Sequence, residues 1–283
     1  MDKIAVIILN YKVSDLTIKA AQSVIRSSYE NCRVYVVDNN SGDQIEEKVK
    51  SYKEITFIQT GDNLGYTGGN NIGVKQALKD GADWIFLLNP DAEVERDTLK
   101  TLLERTKKHD AQIANPKIYF AKSKKIWFAG KFFDIANVLG SHRGVDEEDI
   151  GKYDQEEELE DGTGCALLIK RDVFEKIGFL DDDYFLYYEE SDFIYRARKA
   201  GFKVMYIPAS VVYHENAKSS GVGGPLQDYF ITRNRMLFAS KFLPFRTRFA
   251  LIREAVRNSR YAARRLALFD YLTGNFGKGS YIK

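Results

Sequence analysis

Three runs decide how this chain folds: Ile4-Ala5-Val6-Ile7-Ile8-Leu9-Asn10, Val34-Tyr35-Val36-Val37-Asp38-Asn39-Asn40 and Trp84-Ile85-Phe86-Leu87-Leu88-Asn89-Pro90-Asp91. Each is a continuous apolar stretch that stops at polar residues, the pattern of a short strand buried on both faces. Working outward, further strands fall at 56–58 and 111–118, with amphipathic helices near 15–28, 43–52, 69–80 and 96–109. Asp15 and Asp43 are plausible helix starts, and Gly81 follows one helix end. Strands alternating with helices predict an α/β fold with a mostly parallel sheet. In such sheets ligands bind outside the carboxyl ends of strands, so Asn10-Tyr11, Asp38-Asn39-Asn40 and Asn89-Pro90-Asp91 are expected at one crevice.

Downstream, 119–161 is irregular and aromatic, with Trp127, Phe128, Phe132 and Phe133, and it ends in ten acidic residues between Asp146 and Asp161 opposed only by Lys152. Such a run reads as a solvated loop. Regularity returns with a strand at 166–169, a helix over 171–177, a turn at Gly178 and Asp181 to Asp183, a helix over 189–200 and a strand at 203–207. Helices are then expected over 225–242 and 246–272.

Composition bounds the function. The 283 residues are 44% hydrophobic, with 42 basic and 40 acidic side chains, which excludes a disordered, collagen-like or disulfide-stapled chain. Cys32 and Cys165 stand far apart with no second ligand at metal spacing, so neither a disulfide framework nor a zinc site is expected. The apolar run at 4–9 is too short for the core of a signal peptide, and no run approaches the ~18 residues that span a bilayer. A reducing cytoplasm fits. Charge is uneven: ten basic and two acidic residues after position 240 give +8, leaving −6 on the rest. Arg246, Arg253, Arg257, Arg260 and Arg264 are spaced for one helical face, and a basic amphipathic helix suits an anionic membrane surface. Packing of that helix on the main domain is the competing reading. Nucleic acid is disfavoured, since no binding motif accompanies the charge.

Several side chains have the chemistry for a site. Asp91, just past a buried strand, could ligate a hard cation that shares its ligands with phosphates. Asp38 could accept hydrogen bonds from a base or ribose. Gly61 to Gly73 holds five glycines in thirteen residues, allowing close backbone approach to a ligand, yet it matches neither the dinucleotide fingerprint nor the P-loop. Glu189, Glu190 and Asp192 crowd one helix start, where one of them could abstract a proton. His214 is one of three histidines, and a metal at Asp91 would favour it as a ligand.

Taken in order, Leu9-Asn10-Tyr11, Val36-Val37-Asp38-Asn39-Asn40-Ser41, Asn63-Leu64-Gly65 with Gly69-Asn70-Asn71, and Leu88-Asn89-Pro90-Asp91 resemble the inverting glycosyltransferases of family 2, especially the rhamnosyltransferase-like branch. The second half agrees, through Gly162-Thr163-Gly164-Cys165-Ala166, Ile177 to Asp181, Phe185 to Asp192 with Arg196, and His214 with Ser219. The resemblance covers roughly residues 3 to 240. It implies a GT-A fold, Rossmann-like with a mostly parallel central sheet flanked by helices and a carboxyl-terminal helical extension. The implied division is 1–240 as catalytic domain, with a nucleotide-binding half at 1–118 and an acceptor half at 119–240, and 241–283 as a basic helical tail.

The implied activity is transfer of a sugar from a nucleoside diphosphate donor with inversion, helped by Mn²⁺ or Mg²⁺. Rhamnose from dTDP-rhamnose is the first expectation, and a UDP-sugar or a non-catalytic nucleotide-sugar-binding scaffold the alternatives. The implied acceptor is a cell-surface polysaccharide or lipid-linked precursor. By the same resemblance, Asn10, Tyr11, Asp38, Asn63, Gly65, Asn70, Asn89, Arg233 and Asn234 line the donor pocket. Asp91 holds the metal, with Asn89 in place of a first acid, and His214 is a second metal ligand or a pyrophosphate contact. Glu190 is the general base, with Glu189 and Asp192 as alternates. A sugar-phosphate nucleotidyltransferase would need a glycine-rich loop after the first strand, where Asn10-Tyr11-Lys12-Val13 stands instead. The aromatic segment 127–133 and the last helices are candidate surfaces for a homodimer.

Overall fold

The computed structural model describes residues 1–215 and 223–282; Ser219, part of the resemblance, lies outside them. The first half runs β1 Ile4–Asn10, α1 Ser14–Ile25, β2 Cys32–Asp38, α2 Ile45–Val49, β3 Ile55–Gln59, α3 Gly65–Lys79, β4 Trp84–Leu88, β5 Ala92–Val94, α4 Thr98–Lys108 and β6 Ile113–Phe120. The second runs β7 Ile126–Phe128, β8 Lys131–Asp134, β9 Leu139–His142, β10 Glu157–Glu158, β11 Ala166–Lys170, α5 Arg171–Ile177, α6 Glu189–Lys199, β12 Val204–His214, α7 Pro225–Phe242, α8 Phe245–Arg257 and α9 Ala262–Thr273. The main sheet has the order β10-β12-β6-β11-β4-β1-β2-β3, with β5 on β12 and β7 on β6.

Strands β3, β2, β1 and β4 are parallel, so β1, β2 and β4 end at the same side. Every residue of β1 is buried, as a central strand covered on both faces requires. In α4, Leu99, Leu102, Leu103 and Thr106 repeat at three- and four-residue spacing and seat it on the sheet. Antiparallel β11 continues the sheet beyond β4, with Ala166 opposite Leu88. This register carries the segment before β11 to the end of β4. Strand β12 runs on past a bulge after Ile207, and its last residue, His214, pairs with Ala92.

Four expectations need correction. The helix expected from 43 begins at Ile45, after Gln44 in a left-handed conformation. Helix α3 begins at Gly65 rather than Gly69. Between Phe120 and His142 the chain is not irregular, because β7 joins the sheet and β8–β9 form a hairpin. Of its aromatics Phe128 is buried while Phe132 is exposed. Finally, the single helix over 246–272 is two helices, because α9 turns to pack along α7: Arg264 bonds Asp228 at 2.8 Å, and buried Asp270 accepts from Tyr229. Arg260 and Arg264 therefore leave the face of Arg246, Arg253 and Arg257. Among the described residues, no helix is long and apolar enough to cross a membrane.

Candidate active site

The ends of β1 and β2 are tied by a buried polar network. Asn10 Nδ2 donates to Asp38 Oδ1 at 2.9 Å, Ser41 Oγ at 2.8 Å and Asp43 Oδ1 at 3.0 Å, while its Oδ1 accepts from Thr17 Oγ1 at 2.7 Å. Asp38 also accepts from Gln59 Nε2 at 2.9 Å and from the Ser41 hydroxyl. Burial works to raise the Asp43 carboxyl, but hydrogen bonds from Ser41, Asn10 and the Ser14 backbone outweigh it and hold it low. The side chains of Asn10 and Asp38 thus hold one another; Tyr11, just beyond, is exposed. Thr17, Asp43 and Gln59 belong to this network without any motif to announce them.

A second buried asparagine shapes the next turn. Asn39 Nδ2 donates to Asn63 Oδ1 at 2.9 Å and to the Gly65 carbonyl at 3.0 Å, and its Oδ1 accepts from Leu64 N at 3.0 Å. Gly65 has φ +71°, and the backbone and ring of Phe185 occupy the space a Cβ would need. The glycines beyond it bring α3 onto the sheet: a Cβ on Gly73 would stand 2.7 Å from Ile7 Cγ2 and 2.8 Å from Val37 Cγ2. These contacts assign Gly69 and Gly73 to helix–sheet packing, not to a ligand cradle. Asn70 is buried and donates to the Tyr66 carbonyl within the same helix.

At the end of β4, Asn89 N donates to the Cys165 carbonyl at 2.8 Å. Asp91 and His214 meet there, with Nε2 3.1 Å from Oδ1, both nearly buried. Burial opposes charge on His214, but the Cys165 sulfur and the Asp91 carboxylate outweigh it and raise the imidazole to about 10. Trp127 packs edge-on to both His142 and His214, with centroids 4.5 Å apart in each case. Among the described residues, no group of three His, Cys, Asp or Glu side chains could enclose a cation. Asp91 and His214 are the side chains here that could hold a hard divalent ion, His214 only after giving up its proton, with water and diphosphate oxygens as the other ligands such an ion takes.

The acids at the start of α6 divide by environment. Asp192 is fully buried and committed, accepting from Arg196 Nε at 2.5 Å, Tyr184 Oη at 2.9 Å and Lys241 Nζ at 3.2 Å. Glu189 is buried, its Oε2 has no hydrogen-bond partner, and burial together with Glu190 pushes its carboxyl far up. Glu190 keeps 20% of its side chain exposed and faces Lys131 Nζ at 3.4 Å. The two sides of the site meet across Gly164 and Cys165. The Cys165 sulfur acts on the charge of His214, and the Gly164 carbonyl accepts from Tyr66 Oη at 2.7 Å, a ring lying in the field of Glu189 and Glu190.

The loop feeding α6 is strained. Phe185, Tyr187 and Tyr188 have φ of 64°, 68° and 76°, a region that costs non-glycine residues about 1–3 kcal/mol each and clusters at functional sites. Asn234 Nδ2 donates to the carbonyls of Tyr184, Leu186 and Tyr187 at 3.0, 2.9 and 2.8 Å. Arg233 Nη2 donates to those of Asp183 and Tyr184 at 3.2 and 3.0 Å. Both side chains are fully buried. Expected in the donor pocket, Arg233 and Asn234 stand instead in the interior, because four backbone carbonyls of a turned loop need donors there.

A parallel sheet with this crevice, extended by antiparallel β11, is the GT-A architecture of glycosyltransferases. Solved structures agree: GalNAc-T7 with UDP, GalNAc and Mn²⁺ superposes with a TM-score of 0.62 at 16% identity, over 75% of this chain and 43% of that one. The mannosyltransferase PcManGT from Pyrobaculum calidifontis, in complex with GDP-Man and Mn²⁺, gives 0.59 at 16%, over 96% and 74%. Residues 5–178 match the model of glycosyl transferase family 2, and the chain belongs to that family. It is 28% identical to a low-salt glycan biosynthesis hexosyltransferase of Haloferax volcanii, over 84% of this chain and 75% of the relative. It is 24% identical to a dTDP-rhamnosyl transferase of Shigella flexneri, over 75% and 72%. An N-acetylglucosaminyl-diphospho-decaprenol L-rhamnosyltransferase of Mycobacterium tuberculosis shares 26%, over 66% and 68%. The protein is a glycosyltransferase of the rhamnosyltransferase-like kind.

Proposed function

We propose that this enzyme transfers a sugar with inversion from a nucleoside diphosphate donor, dTDP-rhamnose first and a UDP-sugar second, to a hydroxyl of a cell-surface polysaccharide or its lipid-linked precursor. The observation that carries the reading is the division among the acids of α6. Asp192 is consumed by ion pairs and Glu189 is sealed in the interior, whereas Glu190 keeps an accessible carboxylate. Glu190 takes the proton of the acceptor hydroxyl as its oxygen attacks the anomeric carbon and the bond to the leaving diphosphate breaks. One displacement inverts the centre. Asp91 and His214 would hold Mn²⁺ or Mg²⁺, whose chemistry when bound is to offset charge on the leaving diphosphate. The frame of Asn10, Asp38 and Asn63 orients the nucleotide, beside Tyr11, Gly65, Asn70 and Asn89. The names of the rhamnosyl-transferring relatives support the donor.

Residues 1–240 form the catalytic unit in this reading, with 1–118 on the donor side and 119–240 on the acceptor side, and 241–283 form a membrane-facing extension at the cytoplasmic surface. The outer face of α8 exposes Phe245, Phe249 and Val256 beside Arg246, Arg253 and Arg257. Apolar prongs next to arginines match an anionic bilayer.

The test is calorimetric titration with UDP, dTDP and GDP, each with and without Mn²⁺. Metal-dependent binding of one nucleotide, abolished in Asp91→Ala, is expected. Glu190→Gln is expected to bind that nucleotide normally and to lose about 10²–10⁴-fold in transfer. Transfer retained in Glu190→Gln would reject the base assignment.

A further inference from the structure

We propose that Lys131, at the base of the β8–β9 hairpin, is a positioning residue for the reaction: it is the counter-cation that fixes the carboxylate of Glu190. The proposal rests on the reading of Glu190 as the base.

Lys131 is a buried ammonium, with only 8% of its side chain exposed. Burying such a charge costs several kcal/mol unless it is paired. Asp161 meets that need, with Oδ2 2.8 Å from Nζ. Asp161 is itself immobilised, since Oδ2 accepts from Ser191 Oγ at 2.8 Å and Oδ1 from Gly162 N at 2.8 Å. Ser191 Oγ also lies 3.1 Å from Lys131 Nζ. Held in this way by Asp161 and Ser191, the ammonium reaches Glu190 Oε1 at 3.4 Å. Among the described residues, no other cation stands within ion-pair distance of Glu190.

The surroundings show why a cation is needed there. Glu189 and Tyr188 at the start of α6 and Tyr66 on α3 lie in the field of Glu190, and Asp161, from the segment before β11, shares Lys131 with it. Asp192 is turned away to Arg196 and Lys241. Arg235 also acts on Tyr188, yet without Lys131 Glu190 would have no ion-pair partner among the described residues. Burial works to discharge Lys131, but Asp161 and Glu190 outweigh it and raise its ammonium above the ordinary lysine value, so it stays charged at neutral pH.

The hairpin is built around this side chain. Lys131 and Phe133 face inward while Phe132 and Asp134 face outward. On the facing strand Gly140 leaves the passage open: a Cβ there would stand 2.5 Å from Lys131 Cε. A glycine at this pairing position, opposite Phe133, is what lets the lysine stem run under the hairpin.

The experiment is an NMR titration of protein carrying carboxyl-¹³C glutamate, with the Glu190 signal identified by its loss in Glu190→Gln. Removing a neighbouring positive charge disfavours the carboxylate, so Lys131→Met is expected to move the Glu190 midpoint up by about one pH unit. Lys131→Arg is expected to keep it. An unmoved midpoint in Lys131→Met, or the same rise in Lys131→Arg, would overturn the proposal. Should Lys131→Met fail to fold, Gly140→Ala displaces the stem and retains the charge; an upward shift there supports the pairing and none rejects it. Transfer assays separate the two readings. If the midpoint moves while the acid limb of the rate profile stays in place, the Lys131 pairing stands and Glu190 is not the base.

Discussion

The two sides of the active site are built on opposite principles. On the side read as the donor's, Asn10, Asp38, Ser41, Asp43 and Gln59 are polar groups that satisfy one another, and the positive φ of Lys12, Asn40 and Gln44 falls in the turns beside them. On the acceptor side, Glu189 has a buried oxygen without a partner, Lys131 is a buried charge, and three non-glycine residues in four hold positive φ. A saturated network is rigid by its own hydrogen bonds. A strained loop persists only because its surroundings over-determine it. Here the surroundings are Arg233 and Asn234 on α7, a helix far along the chain. In the proposed reading the frame for the donor is thus self-supporting, while the loop that presents Glu190 is held from outside.

The contrast breaks most visibly at Asn234. Asn234→Leu keeps the volume but leaves the Leu186 and Tyr187 carbonyls without their donor, while Tyr184 keeps Arg233, and a loss of about 2–3 kcal/mol is expected from the denaturant midpoint. Transfer should fall by more than ~100-fold while nucleotide binding is retained in the folded fraction. Equal losses of binding and transfer would show that the two sides share one support.

Next in size is acid sensitivity on the acceptor side. Burial, and then Lys131, depress His142 to about 3. The unfolded chain therefore binds a proton below pH ~6.5 that the folded chain refuses, so stability is complete above that value and is lost as pH falls toward 3. At pH 5 the loss is about 2 kcal/mol. Comparing urea midpoints at pH 7 and pH 5 in wild type and His142→Phe isolates it: the variant should lose less by that amount.

The donor side is sharpened by Gly73→Ala. Its Cβ would press on Ile7 and Val37, and overpacking of ~1–3 kcal/mol is expected, partly offset by helix propensity. Nucleotide affinity of the folded protein should be unchanged; lost affinity without lost stability would return these glycines to the ligand. Smallest is Arg264→Ala, which removes a half-buried pair with Asp228 and should cost about 0.5–1 kcal/mol.

Much of this architecture was legible in the residues. The four parallel strands and three of the first four helices carry their own periodicities, and Asn10, Asp38 and Asp91 could be placed at strand ends because each follows an apolar run. The β8–β9 hairpin escaped notice because its strands are four residues each and mostly exposed, with little apolar alternation. The break between α8 and α9 has neither glycine nor proline at 258–261, so nothing local announced it. Two assignments could not be made from neighbouring residues, for one reason. Glycines in a loop-to-helix segment look the same whether a ligand or a strand lies against them, and Arg233-Asn234 looks the same whether it binds a diphosphate or backbone carbonyls.

What the sequence determined alone was what rests on local order: strand and helix positions, the crevice at three strand ends, and the set of acids from which a base must be drawn. Which acid keeps an accessible carboxylate was decided by tertiary structure, since Asp192 is occupied by Arg196 and by Lys241, 49 residues away, and Glu189 is sealed by packing. Burial and partners at long separation set the state of a charge, and neither is written in the spacing of neighbouring residues.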